Sequence, residues 1–358
     1  MMEIRKLTPA DTQASKKLWK TAFSDSDALI EEYYRSENNI KNAWGLFDGK
    51  ALASQLFMPS FCARVMGVEY TVDFLSGCAT QPEYRNRHLM RDLIRRAFLD
   101  MQQRKVAISF LHPFNHDFYR KVGGYETVAY VKRYTYEKKA ADTDGQVAVI
   151  DAFDRVPLDA MLRAYNTFAG RFSNGFLRSK GRMEEWLKML FADGGRVALI
   201  RSGDAAAYAL YYVEEDGTAD LFELVFGSEK ELFLLLDAIG KAKFFLPENI
   251  KIDLRAGAPE DFTMMRIIDP VRVLSGYPFD EGTEFVIRIH DAFLEREHNL
   301  CVRSLGGSTE VFPCDAKSDI EVDISRLAQL VAGVAEPLPQ CGGWSPFHLG
   351  TSCFFETY

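Results

Sequence analysis

The segment from Thr80 to Tyr125 constrains the fold of this chain more than any other stretch. It reads TQPEYRNRHLMRDLIRRAFLDMQQRKVAISFLHPFNHDFYRKVGGY. This pattern predicts the end of an apolar strand, a basic loop, an amphipathic helix, a second apolar strand and a short helix after an Asn-bearing turn. The longer helix is predicted because apolar residues recur with a period of 3.6 from Leu89 to Met101. An anion binds readily at a helix N-terminus, so the loop before Leu89 is a candidate phosphate site.

Composition limits the classes of protein to which the chain can belong. Its 358 residues suggest two or three domains, and 47% apolar residues are enough for large cores. The formal net charge of −8 argues against a broadly basic nucleic-acid surface. We find no apolar core of a secretion signal and no apolar run of about 20 residues that would span a membrane. With six cysteines and no C-x-x-C pair, we expect reduced thiols, a cytoplasmic location and neither nucleic-acid nor membrane partners.

The first part of the chain predicts a strand, one or two short helices and a meander of strands before the segment from Thr80. The meander strands are Ala43 to Phe47, Ala51 to Phe61 and Tyr70 to Ala79, and a long strand follows the segment from Tyr125 to Tyr136. The small polar residues 138–146 then predict a linker.

The next part repeats the order helix, helix, strands, helix, strand. The predicted helices are Leu158 to Phe168, Met183 to Phe191 and Glu229 to Lys243, and the predicted strands are Val197 to Arg201, Ala206 to Val213, Ala219 to Phe226 and Ile250 to Leu254. The repeat indicates an internal duplication in pattern, without clear sequence identity. Gly227, Ser228 and Glu229 enter the helix directly, without a basic loop, so we do not expect this copy to bind a pyrophosphate.

The last part predicts a small α+β unit from about Met264. Its expected strands are Glu284 to Ile289, Leu300 to Arg303, Thr309 to Phe312 and Glu321 to Asp323, followed by a helix from Ile324 to Val331 that ends at Gly333. Chain ends are usually polar and loose, whereas this one is aromatic, which indicates a docked tail. The predicted class is α/β (α+β), with domains at residues 1–140, 147–262 and 263–358.

Two patterns, one of histidines and one of acidic residues, have spacings that occur in metal sites. His112 and His116 have the H-x-x-x-H spacing of zinc ligands on a helix, but Pro113 lies between them and no third ligand is evident. Asp319, Glu321 and Asp323 alternate along a strand, and a solvated edge explains this pattern better than a cation site. We therefore predict no metal.

The basic loop resembles the phosphate loop of the GNAT acetyltransferases. Their pattern is R/Q-x-x-G-x-G/A, and residues 85–90 (RNRHLM) occupy it. His88 stands where glycine is expected, so its side chain either crowds the pyrophosphate or points outward. Taken alone, the loop is equally well explained as an ordinary solvated basic loop, and the flanking strand and helix favour phosphate binding.

The whole chain, in order, resembles the Eis-type (enhanced intracellular survival) N-acetyltransferases. The resemblance implies two tandem GNAT domains, the second degenerate, followed by a small domain similar to sterol carrier proteins. It is strongest from Thr80 to Tyr125, and next from Arg266 to Asp269 and from Asp319 to Leu330.

The resemblance also implies roles for individual residues. The expected acetyl-CoA contacts are Cys78, Ala79, Thr80, Arg85, Asn86, Arg87, His88, Leu89, Met90, Arg91, Phe114 and Asn115. Tyr119 is expected to donate a proton to the departing thiolate, and the terminal carboxylate of Tyr358 to accept the proton of the attacking amine. The alternatives are core packing for Cys78 to Thr80 and a half-buried helix position for Tyr119.

Two functions are compatible with these observations. The first is an acetyl-CoA-dependent N-acetyltransferase that acts on a small cationic amine such as an aminoglycoside, bound between the first and third domains. The resemblance adds a homo-oligomer, a hexamer, as the expected assembly. The alternative, motivated by His88, is a catalytically inactive CoA- or lipid-binding or regulatory protein of the same fold.

Overall fold

The computed structural model of the chain describes residues 2–138, 147–202, 205–335 and 345–354. We call residues 2–138 the first region, 147–259 the second region and 260–354 the third region. Their described strands form three sheets, two of four strands and one of twelve. The predicted mixed α/β class is confirmed.

The elements of the first region follow the predicted order. They are β1 (Met2–Lys6), α1 (Thr12–Ala22), α2 (Asp27–Arg35), α3 (Glu37–Lys41), β2 (Ala43–Asp48), β3 (Ala51–Phe57), β4 (Ser60–Val65), β5 (Val68–Phe74), β6 (Ser76–Thr80), α4 (Leu89–Gln103), β7 (Ile108–Leu111), α5 (His116–Lys121) and β8 (Glu126–Glu137). Ser26 caps α2 by accepting a hydrogen bond from the Leu29 N–H, and acidic Asp27 begins that helix.

Two strands predicted as continuous are each broken into two. Pro59, which has no N–H to donate, separates β3 from β4, and Leu75 separates β5 from β6. The pieces belong to different sheets: β3 and β6 complete the small sheet β1-β2-β3-β6, whereas β4 and β5 join the twelve-stranded sheet. The predictions for Ala51 to Phe61 and Tyr70 to Ala79 were therefore wrong, since apolar pattern alone does not reveal where a strand changes partners.

The second region contains β9 (Val147–Ile150), α6 (Leu158–Ala169), β10 (Asn174–Leu177), α7 (Lys180–Ala192), β11 (Arg196–Ser202), β12 (Ala205–Val213), β13 (Ala219–Val225), α8 (Glu229–Ile239) and β14 (Lys241–Pro247). The helix predicted to reach Lys243 was too long, because Gly240 ends α8 at a φ of 95°. The strand predicted over Ile250 to Leu254 was wrong, and β14 takes its place between β13 and β8.

The third region contains β15 (Glu260–Ile267), α9 (Pro270–Gly276), β16 (Glu284–Asp291), β17 (Arg296–Leu305), β18 (Ser308–Pro313), β19 (Ile320–Asp323), α10 (Ile324–Ala332) and β20 (Ser352–Cys353). The predicted end of α10 is confirmed, with Gly333 in the left-handed conformation at φ 69°. Strand β15 runs across the predicted boundary between residues 262 and 263 and pairs with β7 and β8 of the first region.

The twelve-stranded sheet joins all three regions. Its order is β20-β10-β4-β5-β7-β15-β8-β14-β13-β12-β11-β9. The tail docks as expected as far as it is described: Phe354 is 3% exposed, and its ring lies 4.9 Å from those of Phe110 and Phe176. Within the described residues, no helix is both long and apolar enough to cross a membrane.

Candidate active site

A gap between β6 and β7 forms the candidate site. The two strands share a hydrogen bond at the base, from the Leu75 N–H to the Phe110 carbonyl at 2.8 Å. Beyond it they diverge, since β6 pairs with β3 in one sheet and β7 pairs with β5 and β15 in another. Among the described strands β6 thus has one paired edge, and the backbone groups of its other edge face the gap.

A cavity of about 790 Å³ occupies this gap and reaches the start of α4. Phe23, Phe118 and Val122 supply apolar walls. The expected cofactor contacts that line the cavity are Cys78, Ala79, Thr80, Arg85, Asn86, Arg87, His88, Leu89, Met90, Arg91 and Phe114. Residues from a strand end, a loop and a distant turn therefore meet around one space.

The N-terminus of α4 is free of a side-chain cap. His88 is the N-cap residue, with φ 59° and ψ 16°, and its side chain accepts no hydrogen bond from the helix. The first N–H groups of a helix have no partner within it, so those of Leu89, Met90 and Arg91 are available to an anion. The positive φ is the conformation that glycine adopts without strain, which explains the glycine of the family pattern. The His88 side chain is exposed.

Cations surround this helix start. Arg85, Arg87 and Arg91 are exposed and line the cavity mouth. The Arg87 guanidinium lies 5.3 Å from the centre of the Tyr84 ring, and that of Arg91 lies 5.9 Å from the ring of Phe293. These aromatic contacts hold the side chains near the loop and still leave their donors accessible. The loop is thus a locally positive site in a chain of negative net charge.

Tyr119 lies at the inner wall of the cavity. It belongs to α5, which begins at Asn115, whose side chain accepts a hydrogen bond from the Phe118 N–H at 2.9 Å. Asn115 therefore caps the helix that carries Tyr119, and it does not line the cavity. Phe114, 79% exposed, stands at the rim, with its ring 5.8 Å from that of Tyr119.

Tyr119 and Cys78 face each other across the inner end of the cavity. Tyr119 is 5% exposed, and burial, followed by the adjacent Cys78, raises the pKa of its hydroxyl well above the usual value. Burial raises the pKa of the Cys78 thiol to about 12, and the hydrogen bond with Tyr119 opposes this rise in part. Both groups therefore keep their protons at neutral pH, and a protonated thiol is a poor nucleophile.

A second pocket, which the sequence analysis missed, lies between the first and second regions. It measures about 280 Å³ and is bounded by aromatic and acidic side chains of the first and second regions. The aromatic members are Trp19, Tyr33, Trp186, Tyr212 and Phe222, and the acidic members are Asp25, Asp193 and Asp220. We call it the acidic aromatic pocket. Its members come from α1, α2, α7, β12 and β13 and adjoining loops, so no local motif could have identified it.

Contacts within the acidic aromatic pocket orient its walls. Trp19 Nε1 donates to Asp25 at 2.7 Å, and the Tyr212 and Phe222 rings stack with centres 5.4 Å apart. Burial, followed by Asp193 and Asp25, raises the pKa of the Tyr212 hydroxyl. Carboxylates and π faces together form an environment that favours a cation.

Trp19 stands between this pocket and the end of the cavity at which Cys78 lies. A Cβ atom on Gly77 would lie 2.9 Å from the Trp19 ring, so the indole packs directly against the β6 backbone beside Cys78. The ring of Phe23, a wall of the cavity, lies 5.6 Å from that of Trp19. The Trp19 indole therefore borders the acidic aromatic pocket and also contacts the Phe23 wall of the cavity.

The histidine and acidic patterns have structural roles. The His112 ring lies 4.4 Å from the ring of Phe262, and burial, with neighbouring His116, lowers its pKa to about 4. Asp319 accepts a hydrogen bond from the Val286 N–H, and Asp323 caps α10. No group of three or more potential metal ligands occurs in the described part of the chain. Tyr358, the expected base, lies outside the described residues.

Comparison with known proteins agrees with this geometry. Residues 3–128 match the model of the acetyltransferase (GNAT) domain family. A search among curated proteins found no match. Solved structures with similar folds include a GCN5-related N-acetyltransferase from Anabaena variabilis, at 16% identity and a TM-score of 0.80, with 100% of both chains covered. A GCN5-related N-acetyltransferase from Kribbella flavida is 19% identical, with a TM-score of 0.77 and coverage of 100% of this chain and 98% of the other.

Eis1 from Mycobacterium abscessus is also similar, at 17% identity and a TM-score of 0.75, with 99% of this chain and 100% of that chain covered. At these identities the solved structures establish the fold, and the family model assigns the first region. The first region is therefore an acetyltransferase domain of the GNAT type, and the chain is an N-acetyltransferase.

Proposed function

We propose that the chain transfers an acetyl group from acetyl-CoA to the amine of a small cationic acceptor. The observation that carries this proposal is the placement of a buried, protonated Tyr119 at one end of a cavity whose mouth is the uncapped start of α4. A phosphate site and a proton donor thus share one elongated space. That combination suits a thioester attached to a phosphorylated carrier.

The charge and the unpaired strand edge of the cavity support acetyl-CoA as the acetyl donor. The free N–H groups of Leu89, Met90 and Arg91 suit a pyrophosphate, and the surrounding arginines add favourable charge. The exposed side chain of His88 leaves these N–H groups uncovered. The unpaired edge of β6 offers backbone groups to the amides of the carrier arm and to the acyl carbonyl.

Tyr119 acts as the general acid in this proposal. Acetyl-CoA supplies a thioester, whose cleavage produces a thiolate that needs a proton. Because burial holds the pKa of Tyr119 above its usual value, its hydroxyl keeps the proton until a strong base forms beside it. The neutral Cys78 thiol is unsuited to form an acetyl-enzyme, so the amine attacks the thioester directly.

The acidic aromatic pocket is the proposed site for the acceptor. Asp25 and Asp193 supply negative charge, and the rings of Trp19, Tyr33 and Tyr212 supply π faces for an alkylammonium group. Trp19, a wall of this pocket, packs against β6 beside Cys78, which lines the cavity, so an amine bound in the pocket would lie near the proposed thioester. This proposed location lies between the first and second regions, whereas the location between the first and third domains stays a prediction from the sequence.

The proton of the attacking amine needs an acceptor. The terminal carboxylate of Tyr358 keeps this role as a proposal from the family resemblance. Support comes from the described tail, where Phe354 packs against Phe110 of β7 and its carbonyl accepts a hydrogen bond from Thr263 at 3.5 Å. The tail thus returns to the strand that borders the cavity.

The Eis-like arrangement is proposed for the rest of the chain. The repeated element order supports a second GNAT-like domain, and the small sheet β18-β17-β16-β19 with α9 and α10 supports a separate last domain similar to sterol carrier proteins. Tyr277, Phe279, Phe285 and Phe347 are all buried and contact one another in this last unit. Filled packing of this kind favours a structural role over lipid storage. The hexamer stays a prediction.

A thiol-release assay with acetyl-CoA tests the function. A panel of polyamines, aminoglycosides and lysine peptides should contain acceptors that release CoA, and Asp25→Asn should raise the KM of those acceptors by about tenfold, equivalent to about 1.4 kcal/mol. Asp237→Asn, on α8 and away from both cavities, is the matched control and should leave the KM unchanged. Acetyl-CoA at about 100 times its Kd should also stabilise the fold by about 2.7 kcal/mol. The absence of both turnover and thermal stabilisation would refute the enzyme and favour the inactive alternative.

A further inference from the structure

The turn after α5 fixes the end of the helix that carries Tyr119. The Gly124 N–H donates to the Arg120 carbonyl at 3.2 Å, and the Tyr125 N–H donates to the Tyr119 carbonyl at 3.2 Å. Gly124 has a φ of 65°, a left-handed conformation that glycine adopts without strain. We call residues 123–125 the glycine turn. Because this turn is hydrogen-bonded to the backbone of Tyr119 itself, a shift of the turn would also shift the phenol.

Side chains of the third region pack against the glycine turn. The Ser325 hydroxyl, near the start of α10, donates a hydrogen bond to the Gly124 carbonyl at 3.2 Å. A Cβ atom on Gly124 would lie 2.9 Å from Arg266 Nη1 and 3.3 Å from Ile324 Cγ2. Two side chains of the third region therefore contact the backbone of the turn directly, and a third is hydrogen-bonded to it.

The Arg266 side chain forms a fixed wall behind the turn. It lies on β15, opposite Ser109 of β7, and is 0% exposed. Its Nη2 group pairs with one carboxylate oxygen of Asp291, and the other oxygen accepts a hydrogen bond from the Leu294 N–H at 3.1 Å. The Nε and Nη1 atoms of Arg266 have no hydrogen-bond partner among the described residues. Packing alone therefore places Nη1 against the glycine turn.

Tyr125, the last residue of the glycine turn, extends this support to Tyr119. Tyr125 is buried, and its hydroxyl shares a hydrogen bond with Ser109 Oγ at 2.7 Å. The centre of its ring lies 6.2 Å from that of Tyr119 and 5.8 Å from that of Phe98. The Phe98 ring lies in turn 5.6 Å from the ring of Phe293 in the third region. Buried contacts thus connect the third region with the proposed proton donor.

We propose that Ser325 is a positioning residue for acetyl transfer, which holds the glycine turn so that the Tyr119 hydroxyl stays beside the leaving thiolate. The inference rests on the proposed function, in which Tyr119 is the general acid. It also gives the third region a task in the reaction that requires no bound lipid. Ser325 does not line the cavity, so it acts through Gly124 and α5.

Ser325→Ala tests the proposal in the full chain. Loss of the hydrogen bond should lower kcat about fivefold, the change that corresponds to one neutral hydrogen bond of average strength, and should leave the KM for acetyl-CoA near its wild-type value. Hydrogen exchange of the Gly124 and Tyr125 amides should become faster, because the glycine turn loses a contact. Ser325→Thr retains the hydroxyl and should restore both kcat and the slower exchange.

A double-mutant cycle with Tyr119→Phe distinguishes positioning from a general loss of structure. If Ser325 acts through the Tyr119 hydroxyl, Ser325→Ala should change kcat by less than about twofold once that hydroxyl is absent. A general structural defect would lower kcat by the same factor with and without the hydroxyl.

Ser308→Ala is the matched control. The Ser308 hydroxyl donates to the Leu305 carbonyl at 3.2 Å, within the β17–β18 hairpin of the third region. The variant therefore loses a side-chain hydrogen bond of the same kind and length, away from the glycine turn. It should leave kcat and the exchange of the Gly124 and Tyr125 amides unchanged.

The outcomes separate this inference from the proposed function. Wild-type kcat in Ser325→Ala, or an equal loss with and without the Tyr119 hydroxyl, would overturn the positioning role. If the unmodified protein acetylates no amine, the proposed function fails, and the exchange of the Gly124 and Tyr125 amides still decides whether Ser325 holds the turn. Unchanged exchange in Ser325→Ala would show that it does not.

Discussion

The starts of α4 and α8 occupy the same place in two regions that share an element order, yet they differ in chemistry. At α4 the N-cap is His88 in a left-handed conformation, and its side chain accepts no bond from the helix. At α8 the N-cap is Ser228, which accepts from the Glu231 N–H, while Glu231 accepts from the N–H groups of Gly227 and Ser228 at 2.7 and 2.9 Å. This capping box places a carboxylate where a phosphate would otherwise bind.

The strands beside these two helices also differ, in whether they pair with each other. In the first region β6 and β7 diverge and lie in different sheets, which leaves a cavity between them. In the second region β13 and β14 remain paired in parallel, from Ala219 opposite Ala242 to Leu221 opposite Phe244. The two regions therefore share an element order but differ in helix capping and strand pairing, the two features on which the proposed phosphate site of the first region depends.

Loss of the Tyr119 hydroxyl should have the largest effect on the catalytic activity of the first region. Tyr119→Phe removes the proton donor and leaves the apolar ring, so kcat should fall by about 100-fold or more while the Kd of acetyl-CoA stays near its wild-type value. Steady-state thiol release and calorimetric titration measure the two quantities.

Tyr136→Phe provides the control for that variant. Its hydroxyl donates a hydrogen bond to Asp237 of α8, so the change removes a comparable phenol hydrogen bond beside the capped helix of the second region. It should retain wild-type kcat. Equal rates for Tyr119→Phe and wild type would show that Tyr119 is a packing residue.

The uncapped start of α4 can be given a capping box like that of α8. His88→Ser with Arg91→Glu builds the S-x-x-E capping box of α8 onto α4, at the N-cap and third helical positions. The new carboxylate competes with the pyrophosphate for the same N–H groups, so the Kd of acetyl-CoA should rise by about tenfold or more, which equals about 1.4 kcal/mol.

Two single-residue variants serve as controls for this double variant. His88→Gly removes only the exposed imidazole and should bind acetyl-CoA as the wild type does. Ser228→Ala opens the cap of α8 and should lower the free energy of unfolding by about 1 kcal/mol without changing that Kd. Tighter binding by His88→Gly would instead mean that the imidazole crowds the phosphate.

Acid should lower the stability of the first region through His112, which follows β7. Burial lowers its pKa to about 4 in the folded protein, below its ordinary value of 6.5, so the unfolded chain binds the proton more readily. The stabilisation from neutral His112 is complete above pH 6.5 and decreases as the pH falls toward 4, by up to about 1.4 kcal/mol per pH unit. His112→Phe should therefore lose less stability than wild type between pH 6.5 and 5.5 in urea unfolding. Parallel losses for the two proteins would contradict this assignment.

Much of the candidate site could be predicted from local sequence. The amphipathic pattern gave α4, the Asn115 cap gave α5, and Gly227-Ser228-Glu229 indicated the closed start of α8, because periodicity and capping act between residues near in sequence. The family resemblance added the role of Tyr119. The position of Asn115 differs in detail, since it caps α5 and does not line the cavity.

The pairing of strands that are far apart in the chain could not be predicted from local sequence. The break at Pro59, which sends β3 and β4 into different sheets, depends on strands far away in the chain. The strand prediction over Ile250 to Leu254 failed because β14 holds the place between β13 and β8. The twelve-stranded sheet is assembled from all three regions, and its order is a property of their mutual packing.

The sequence by itself determined the basic loop, the helix that follows it, the short helix that carries Tyr119 and a second copy without that loop, since these depend on backbone geometry within a few residues. Tertiary structure alone decided that Trp19, Asp25, Trp186 and Tyr212 surround one pocket and that the Asn174 amide donates to the Ser352 hydroxyl of the tail. Such sites arise where side chains from remote elements meet, and their spacing along the chain carries no periodic signal. The physical reason is the range of the interactions: capping and helix periodicity are local, whereas burial and side-chain contact depend on the whole fold.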